Sequence, residues 1–269
     1  MNFKMKYQIT AKYLTPGSKR RSGKLIYPSV KFIVAHDTGN PNSTASANVR
    51  YYQNSRNEMS ASAHIFVDDK EIIECIPVLT ATPEKAWHVL YGVAQDNHLY
   101  GFNANDAAIG VEYCYGKNID ADEAYRKYLW VIACICHRFN LDPASTIVGH
   151  CFLDPHRKTD PVTGLAHSRR TYEQLLRDIV TEYNDCTDTA ITRTTYNLEG
   201  EPGSVRTTVR LNIRRSVPKT TAPIIETIEP NVELQHVGFV ADGESINGNG
   251  RWYKRDDGNY FWSGGVTPS

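Results

Sequence analysis

No apolar run in the chain approaches the ~20 residues needed to cross a bilayer, so no stretch offers a membrane-spanning helix. An excess of either charge is also missing. Lys and Arg total 30 and Asp and Glu total 30, so no global field draws the protein to nucleic acid or anionic lipid. The six cysteines contain no Cys-x-x-Cys pair and no regular spacing, which argues against a disulfide scaffold or a zinc ribbon. They are expected to be free, reduced and buried, as small hydrophobes often are. Met1-Asn2-Phe3-Lys4-Met5-Lys6 is basic, but no apolar stretch follows it, so a secretory signal is not expected. A protein made in the cytoplasm with a target outside it would then depend on release or non-classical export. What is present is the composition of a soluble globular protein, 41% hydrophobic and 22% charged over 269 residues, enough for one large or two smaller domains.

Residues 1 to 30 read as irregular, with Tyr7, Ile9, Tyr13 and Leu14 available for packing. Lys31-Phe32-Ile33-Val34-Ala35-His36 is a short β-forming run, expected as a buried central strand with His36 at its carboxyl end, where open α/β sheets place ligands. A helix capped by Ser43 or Thr44 should run to about Arg56. Residues 62–67 and 71–76 suggest a hairpin, and residues 80–108 suggest a long loop carrying Ala86-Trp87-His88 and Asn103-Ala104-Asn105. Ala108 to Cys114 reads as another strand, with Ile109, Val111 and Tyr113 on one side and Gly110, Glu112 and Cys114 on the other. A lone Glu in so apolar a strand is costly to bury unless it is paired or functional. The clearest helix covers 122–140, and a last one starts near Thr171, where Gln174 completes a capping-box pattern. Beyond Tyr183 the texture changes. Residues 184–203 read as a linker, and 204–269 as short β-runs separated by Gly-rich turns. The expected architecture is α/β, a mixed central sheet flanked by helices, followed by a small all-β barrel.

The chemistry concentrates in Gly149-His150-Cys151-Phe152-Leu153-Asp154-Pro155-His156-Arg157-Lys158-Thr159-Asp160-Pro161. His150 and Asp160 are ordinary zinc ligands, and Lys158 puts a fixed positive charge beside them. A catalytic zinc site usually takes three protein ligands and leaves the fourth position open. His36 is the best third ligand, although on chemistry alone His156 competes. Glu112 would then serve as general base and Lys158 would face the developing oxyanion, a set of parts suited to amide hydrolysis. His64, Trp87 and His88 are candidates to line a substrate cleft. The plainer readings are a structural role for His64 and a core role for Trp87.

Val34-Ala35-His36-Asp37-Thr38-Gly39, Ser62-Ala63-His64, Ala86-Trp87-His88, Ile109-Gly110-Val111-Glu112 and His150 with Arg157-Lys158-Thr159-Asp160-Pro161 follow one another in an order that resembles zinc-dependent N-acetylmuramoyl-L-alanine amidases of type 2. Peptidoglycan recognition proteins and phage lysozymes of the amidase class share that fold. The resemblance covers roughly residues 25 to 182. It implies one zinc ion held by His36, His150 and Asp160, with Glu112 as catalytic acid/base assisted by Lys158. It also implies cleavage of the amide between the lactyl group of N-acetylmuramic acid and L-alanine, with cell-wall peptidoglycan as partner and neither nucleic acid nor membrane insertion involved. Many relatives carry Cys as third ligand where this chain has Asp160. Val162 stands where Gly often follows Asp-Pro, and Ala63 where certain relatives place a pocket Tyr. Leu211-Asn212-Ile213-Arg214-Arg215, Ala222-Pro223-Ile224-Ile225 and Gly238-Phe239-Val240 are similar to bacterial SH3-like domains, which often bind cell wall. The implied layout is a catalytic domain at 1–183, a linker at 184–203 and a wall-binding domain at 204–269, as in a phage endolysin or a bacterial autolysin. The rival reading is a recognition protein that binds muropeptide without cutting it.

Overall fold

The apolar runs of the N-terminal two thirds become the strands of one mixed sheet in the computed structural model, which describes residues 2–187, 196–220, 222 and 224–268. The chain divides into two units, residues 1–191 and 192–269. In the first, the elements follow in the order β1 (Ile9–Ala11), β2 (Phe32–Asp37), α1 (Ala45–Asn54), β3 (Ile65–Val67), β4 (Ile72–Glu74), α2 (Gln95–Tyr100), α3 (Ala104–Ala107), β5 (Ala108–Tyr113), α4 (Ala121–Phe139), β6 (Ile147–Gly149), α5 (His150–Leu153), α6 (Val162–His167) and α7 (Tyr172–Thr187). Across the sheet the strand order is β1-β4-β3-β5-β2-β6. The central strands β3, β5, β2 and β6 are parallel neighbours, and β4 pairs antiparallel to β3.

All six residues of β2 are buried, which fits a strand covered on both faces and explains its unbroken apolar run. Alternation sorts its side chains into two cores. Ile33 and Ala35 join the larger core with Ile109, Val111 and Tyr113, against which α4 and α7 pack. Phe32 and Val34 join a smaller core with Ala108, Val148 and Leu153 on the other face. His36 continues that second face at the strand end.

Helix α4 starts at an Asp120 cap that accepts from the Asp122 and Glu123 N–H groups, and it ends at Asn140 in the left-handed region (φ 53°). Twelve of its nineteen residues are buried, so it is a core helix rather than one with a single wet face. Thr44 caps α1 through Ala47 N, and Thr171 Oγ1 caps the start of α7 by accepting from Gln174 N at 3.1 Å.

Two stretches differ from expectation. Within the irregular N-terminus, Ile9–Ala11 pairs parallel to β4 and closes that edge of the sheet. Three residues are too few for a period to show. The long loop 80–108 contains α2 and α3, of six and four residues, which are held by local caps rather than by an amphipathic pattern. Gly101 ends α2 with φ 76°, and the Asn103 side chain opens α3 by accepting from Asn105 N. All six cysteines are free, five of them buried and Cys151 partly so. Among the described residues no helix is long and apolar enough to cross a membrane.

The second unit is all β, with strands β7 (Gly203–Thr207), β8 (Leu211–Arg214), β9 (Ile224–Ile228), β10 (Glu233–His236), β11 (Gly238–Val240), β12 (Trp252–Lys254), β13 (Tyr260–Trp262) and β14 (Val266–Pro268). They form a three-stranded sheet, β10-β7-β14, and a five-stranded sheet, β11-β12-β13-β8-β9, with every pair antiparallel. Val205, Leu211, Ile213, Ile228, Leu234 and Phe261 make the core between them. Tyr260 is buried, and Trp262 is half-buried with its indole N–H donating to the Asn249 carbonyl. Residues 188–195 of the expected linker and Pro223 of the SH3-like motif lie outside the described residues.

Candidate metal centre

Parallel pairing brings the dispersed residues to one edge of the sheet. The register sets His36 of β2 directly beside Glu112 of β5, and Ala35 beside Gly149 of β6, so His150 emerges next to His36. The turn after α5 then carries Asp160 back across both imidazoles. Asp160 Oδ2 accepts from His36 Nδ1 at 2.8 Å and from His150 Nδ1 at 3.1 Å. The two histidines are 2% exposed, and Asp160 is largely covered.

Electrostatics favours a cation at this point. Burial drives His36 down to about 4 against the opposing hydrogen bond to Asp160, so the ring is neutral and one nitrogen keeps its lone pair. Burial alone would raise Asp160, but the hydrogen bonds from His150 and His36 outweigh it and hold the carboxyl well below the usual range. Glu112 goes the other way. Burial first, then the charges of Asp160 and Asp37, push its carboxyl well above the ordinary glutamate value, opposed by Lys158. Glu112 Oε2 is buried and has no hydrogen-bond partner. Lys158 is half-buried, and its charge is felt at both His36 and Glu112.

The scaffold below is tied to this edge through backbone atoms. Tyr128 of α4 donates its hydroxyl toward the carbonyls of His36 (3.0 Å) and Val111 (3.2 Å), bracing β2 and β5 from the opposite face. Tyr172 of α7 accepts from Gly149 N at 2.9 Å. Gly149 is required on grounds of space, because a Cβ there would lie 2.8 Å from Pro161 Cδ and 3.2 Å from both Phe152 and Tyr172. Asp37 accepts from Gly39 N and Gly164 N, fastening the end of β2 to α6.

The remaining candidates separate. His64 is fully buried. Its Nδ1 accepts from Gly110 N at 3.0 Å and its Nε2 donates to the Glu84 carbonyl at 2.9 Å, which leaves no ring nitrogen for a substrate. Its place is beneath the site, a structural one, because two backbone groups claim both nitrogens. Trp87 is half-buried, 6.0 Å from the exposed Tyr91, and stands at the surface beside the cluster. His88 is buried with Nδ1 3.1 Å from His36 Nε2, so it faces a proposed ligand rather than an open groove. His156 is exposed and outside the cluster, because the turn closed by Asp154 and Arg157 carries it outward.

The donor set fits a zinc ion. Two imidazole nitrogens and a carboxylate oxygen converge in a largely buried place. A second group, Glu182, Asp185 and Cys186, is filled by the Lys6 ammonium, 2.7 Å from each carboxylate. Sequence reasoning missed the Tyr128 and Tyr172 braces and the bonds from the backbone N–H groups of His88 and Val89 to Asn105 Oδ1. Nothing in a single sequence marks a tyrosine of an apolar stripe as a hydrogen-bond donor.

Comparison with known proteins points the same way. The sequence model of the Amidase_2 family, N-acetylmuramoyl-L-alanine amidase, matches residues 27–163. N-acetylmuramoyl-L-alanine amidase BlyA of Bacillus subtilis (strain 168) is 33% identical over 175 residues, which is 62% of this chain and 44% of the relative. The chain therefore spans less than half the length of the curated relatives it matches. Among solved structures, the catalytic domain of XlyA superposes with a TM-score of 0.50 at 25% identity, covering 64% of this chain and 99% of that one. A mutant endolysin from Bacillus subtilis gives 0.51 at 26%, with the same coverage. His36, Glu112, His150, Lys158 and Asp160 all fall inside the matched stretch, and because that stretch is more than half of the 269 residues, the chain belongs to the N-acetylmuramoyl-L-alanine amidase family.

Proposed function

We propose that the first unit is a zinc-dependent peptidoglycan hydrolase that cuts the amide between N-acetylmuramic acid and L-alanine, in the manner of an endolysin or autolysin. The observation that carries this reading is the convergence of His36 Nδ1, His150 Nδ1 and Asp160 Oδ2, beside a Glu112 oxygen that nothing in the fold satisfies. When bound by these three residues, zinc supplies Lewis-acid polarisation and acidifies water to a pKa of roughly 7.

The chain's own groups do the rest. Glu112 takes a proton from the attacking water as the oxygen bonds to the lactyl carbonyl carbon, and it passes that proton to the alanine nitrogen as the C–N bond breaks. Lys158 offers positive charge to the oxyanion formed in between. Trp87, beside the exposed Tyr91, gives a glycan or peptide an aromatic surface to lie against. Digestion of purified sacculi is expected to release material with new L-alanine amino termini and no new reducing sugar ends. Reducing ends in their place would mean a glycosidase and would end this reading. A non-catalytic recognition protein is the less favoured alternative, because all three ligand positions and the base position are filled.

We further propose that residues 204–269 form an SH3-like wall-binding domain after a linker, on the strength of the quoted motifs and the two antiparallel sheets. The full chain carrying Glu112→Gln should sediment with purified sacculi, and the same chain ending at residue 187 should remain largely in the supernatant. Equal sedimentation of both would remove wall binding from the second unit.

A further inference from the structure

The side of His36 that faces away from Asp160 is neither solvated nor packed against apolar groups. Its Nε2 lies 3.1 Å from His88 Nδ1, with the rings edge to face at 5.2 Å between centroids. The His88 ring is held from three directions. The backbone N–H groups of His88 and Val89 both donate to Asn105 Oδ1, at 2.9 and 3.0 Å, while Asn105 Nδ2 donates to the Val89 carbonyl. Position 110 is glycine, and a Cβ there would sit 2.8 Å from His88 Cγ, so β5 leaves a slot for the ring. His64 packs edge-on from below at 5.5 Å, its tautomer fixed by Gly110 N–H and the Glu84 carbonyl. Asn105 is 1% exposed, and its side-chain hydrogen bonds all go to residues 88 and 89, so this clamp serves the segment that carries the ring.

Resting on the zinc reading above, we propose that His88 is a positioning residue for His36: its Nδ1 accepts the His36 Nε2 proton and so keeps the Nδ1 lone pair of His36 turned toward the metal. The proton positions follow one from another. If His36 carried its proton on Nδ1, facing Asp160, then His88 would have to donate through Nδ1 and present a bare Nε2. That is the arrangement of the metal-free cluster, in which Asp160 accepts from His36 Nδ1. When a metal takes the His36 Nδ1 lone pair in place of that proton, the ring must hold its proton on Nε2, and the atom 3.1 Å away that must accept it is His88 Nδ1. His88 thus supplies the outer acceptor that a metal-bound imidazole needs for its second nitrogen. His150 has no such partner, since its Nε2 is buried and unsatisfied. Among the described residues the outer support of the metal set is therefore one-sided.

Zinc affinity of the full chain, measured by competition with a chromogenic chelator, tests this without reference to turnover. His88→Leu fills the slot but removes the acceptor, and it should weaken zinc by about 10- to 100-fold, the usual loss for such outer partners. His88→Asn places an amide oxygen where Nδ1 stood and should recover most of that affinity. Wild-type affinity in the Leu variant, or an equal loss in both variants, would overturn the proposal, the second outcome because it would mark His88 as packing only. Nitrogen-15 spectra of the zinc-loaded wild type give an answer that needs no variant. His88 must appear protonated at Nε2 and bare at Nδ1, and the reverse tautomer would refute the assignment. A wild-type chain that takes up no zinc would bring down the metal reading itself and this proposal with it, and is told apart by that arm alone.

Discussion

Glu112→Gln is expected to lower amide hydrolysis by about 10²- to 10⁴-fold while zinc content and folding stay at wild-type levels. The substitution is nearly isosteric, so packing in β5 is preserved. No hydrogen bond to Oε2 is lost, because none exists. The contrast with Glu74 decides the matter. That glutamate is fully buried in the sheet, yet its carboxylate accepts from Val78 N, Leu79 N, Thr80 N and Thr80 Oγ1, and its cost of burial is met by the fold. Glu112 has no such cap. Burial and the charges of Asp160 and Asp37 oppose its ionisation, and an uncapped carboxylate is an expense that stability alone does not explain. Thermal unfolding of the Gln variant should show a stability equal to or above wild type, since a half-buried carboxyl with one unsatisfied buried oxygen has been removed. The check is a rate of amino-terminus release alongside a metal assay on the same preparation. An unchanged rate would remove Glu112 from the chemistry, and loss of zinc together with activity would recast it as part of the metal set.

The strands that build the site were legible because burial on both faces leaves a plain signature. Phe32 to His36, Ala108 to Tyr113 and Ile147 to Gly149 are short apolar runs, with His36 and Glu112 at or near the carboxyl ends of the first two and His150 directly after the third, and the structure pairs them in parallel. Glu112 was legible for the opposite reason, as an exception to its surroundings. The relation between His36 and His88 was not legible. Fifty-two positions separate them, and their contact depends on Asn105 drawing 88–89 inward and on a missing side chain at 110. Sequence spacing also cannot distinguish His150 from His156. What distinguishes them is the turn between, where Arg157 bonds back to Asp154 and leaves His156 in solvent. His64 shows the same limit from the other side. Its motif position suggested a cleft, and only the Gly110 and Glu84 backbone atoms reveal that its nitrogens are already used. In the second unit the Gly-rich turns announced β-structure, but the division into sheets of three and five strands depends on long-range pairings such as β7 with β14, which no local pattern encodes.

Asp160→Ala is expected to abolish activity and to erase the thermal stabilisation that zinc gives the first unit. Zinc that binds the folded chain at about 1,000 times its Kd adds roughly 4 kcal/mol to stability. For a unit of 150–250 residues, each kcal/mol moves Tm by roughly 2–4 °C, so saturating zinc should raise the wild-type transition by about 8–16 °C. Alanine at 160 removes one of the three proposed ligands and also the acceptor shared by His36 and His150. Without metal, the two Nδ1 atoms then face each other with no carboxylate between them, and leaving buried donors unsatisfied costs about 1–3 kcal/mol. The metal-free variant should therefore unfold below the metal-free wild type, and zinc should restore little. The loop itself stays tethered, because Cys151 N bonds to the backbone carbonyl of residue 160, which the substitution leaves in place. Scanning calorimetry of both proteins, with chelator and with excess zinc, separates these effects. A zinc-dependent rise in the Ala variant equal to that of wild type would show that Asp160 is not a ligand, and the metal set drawn from His36, His150 and Asp160 would have to be abandoned.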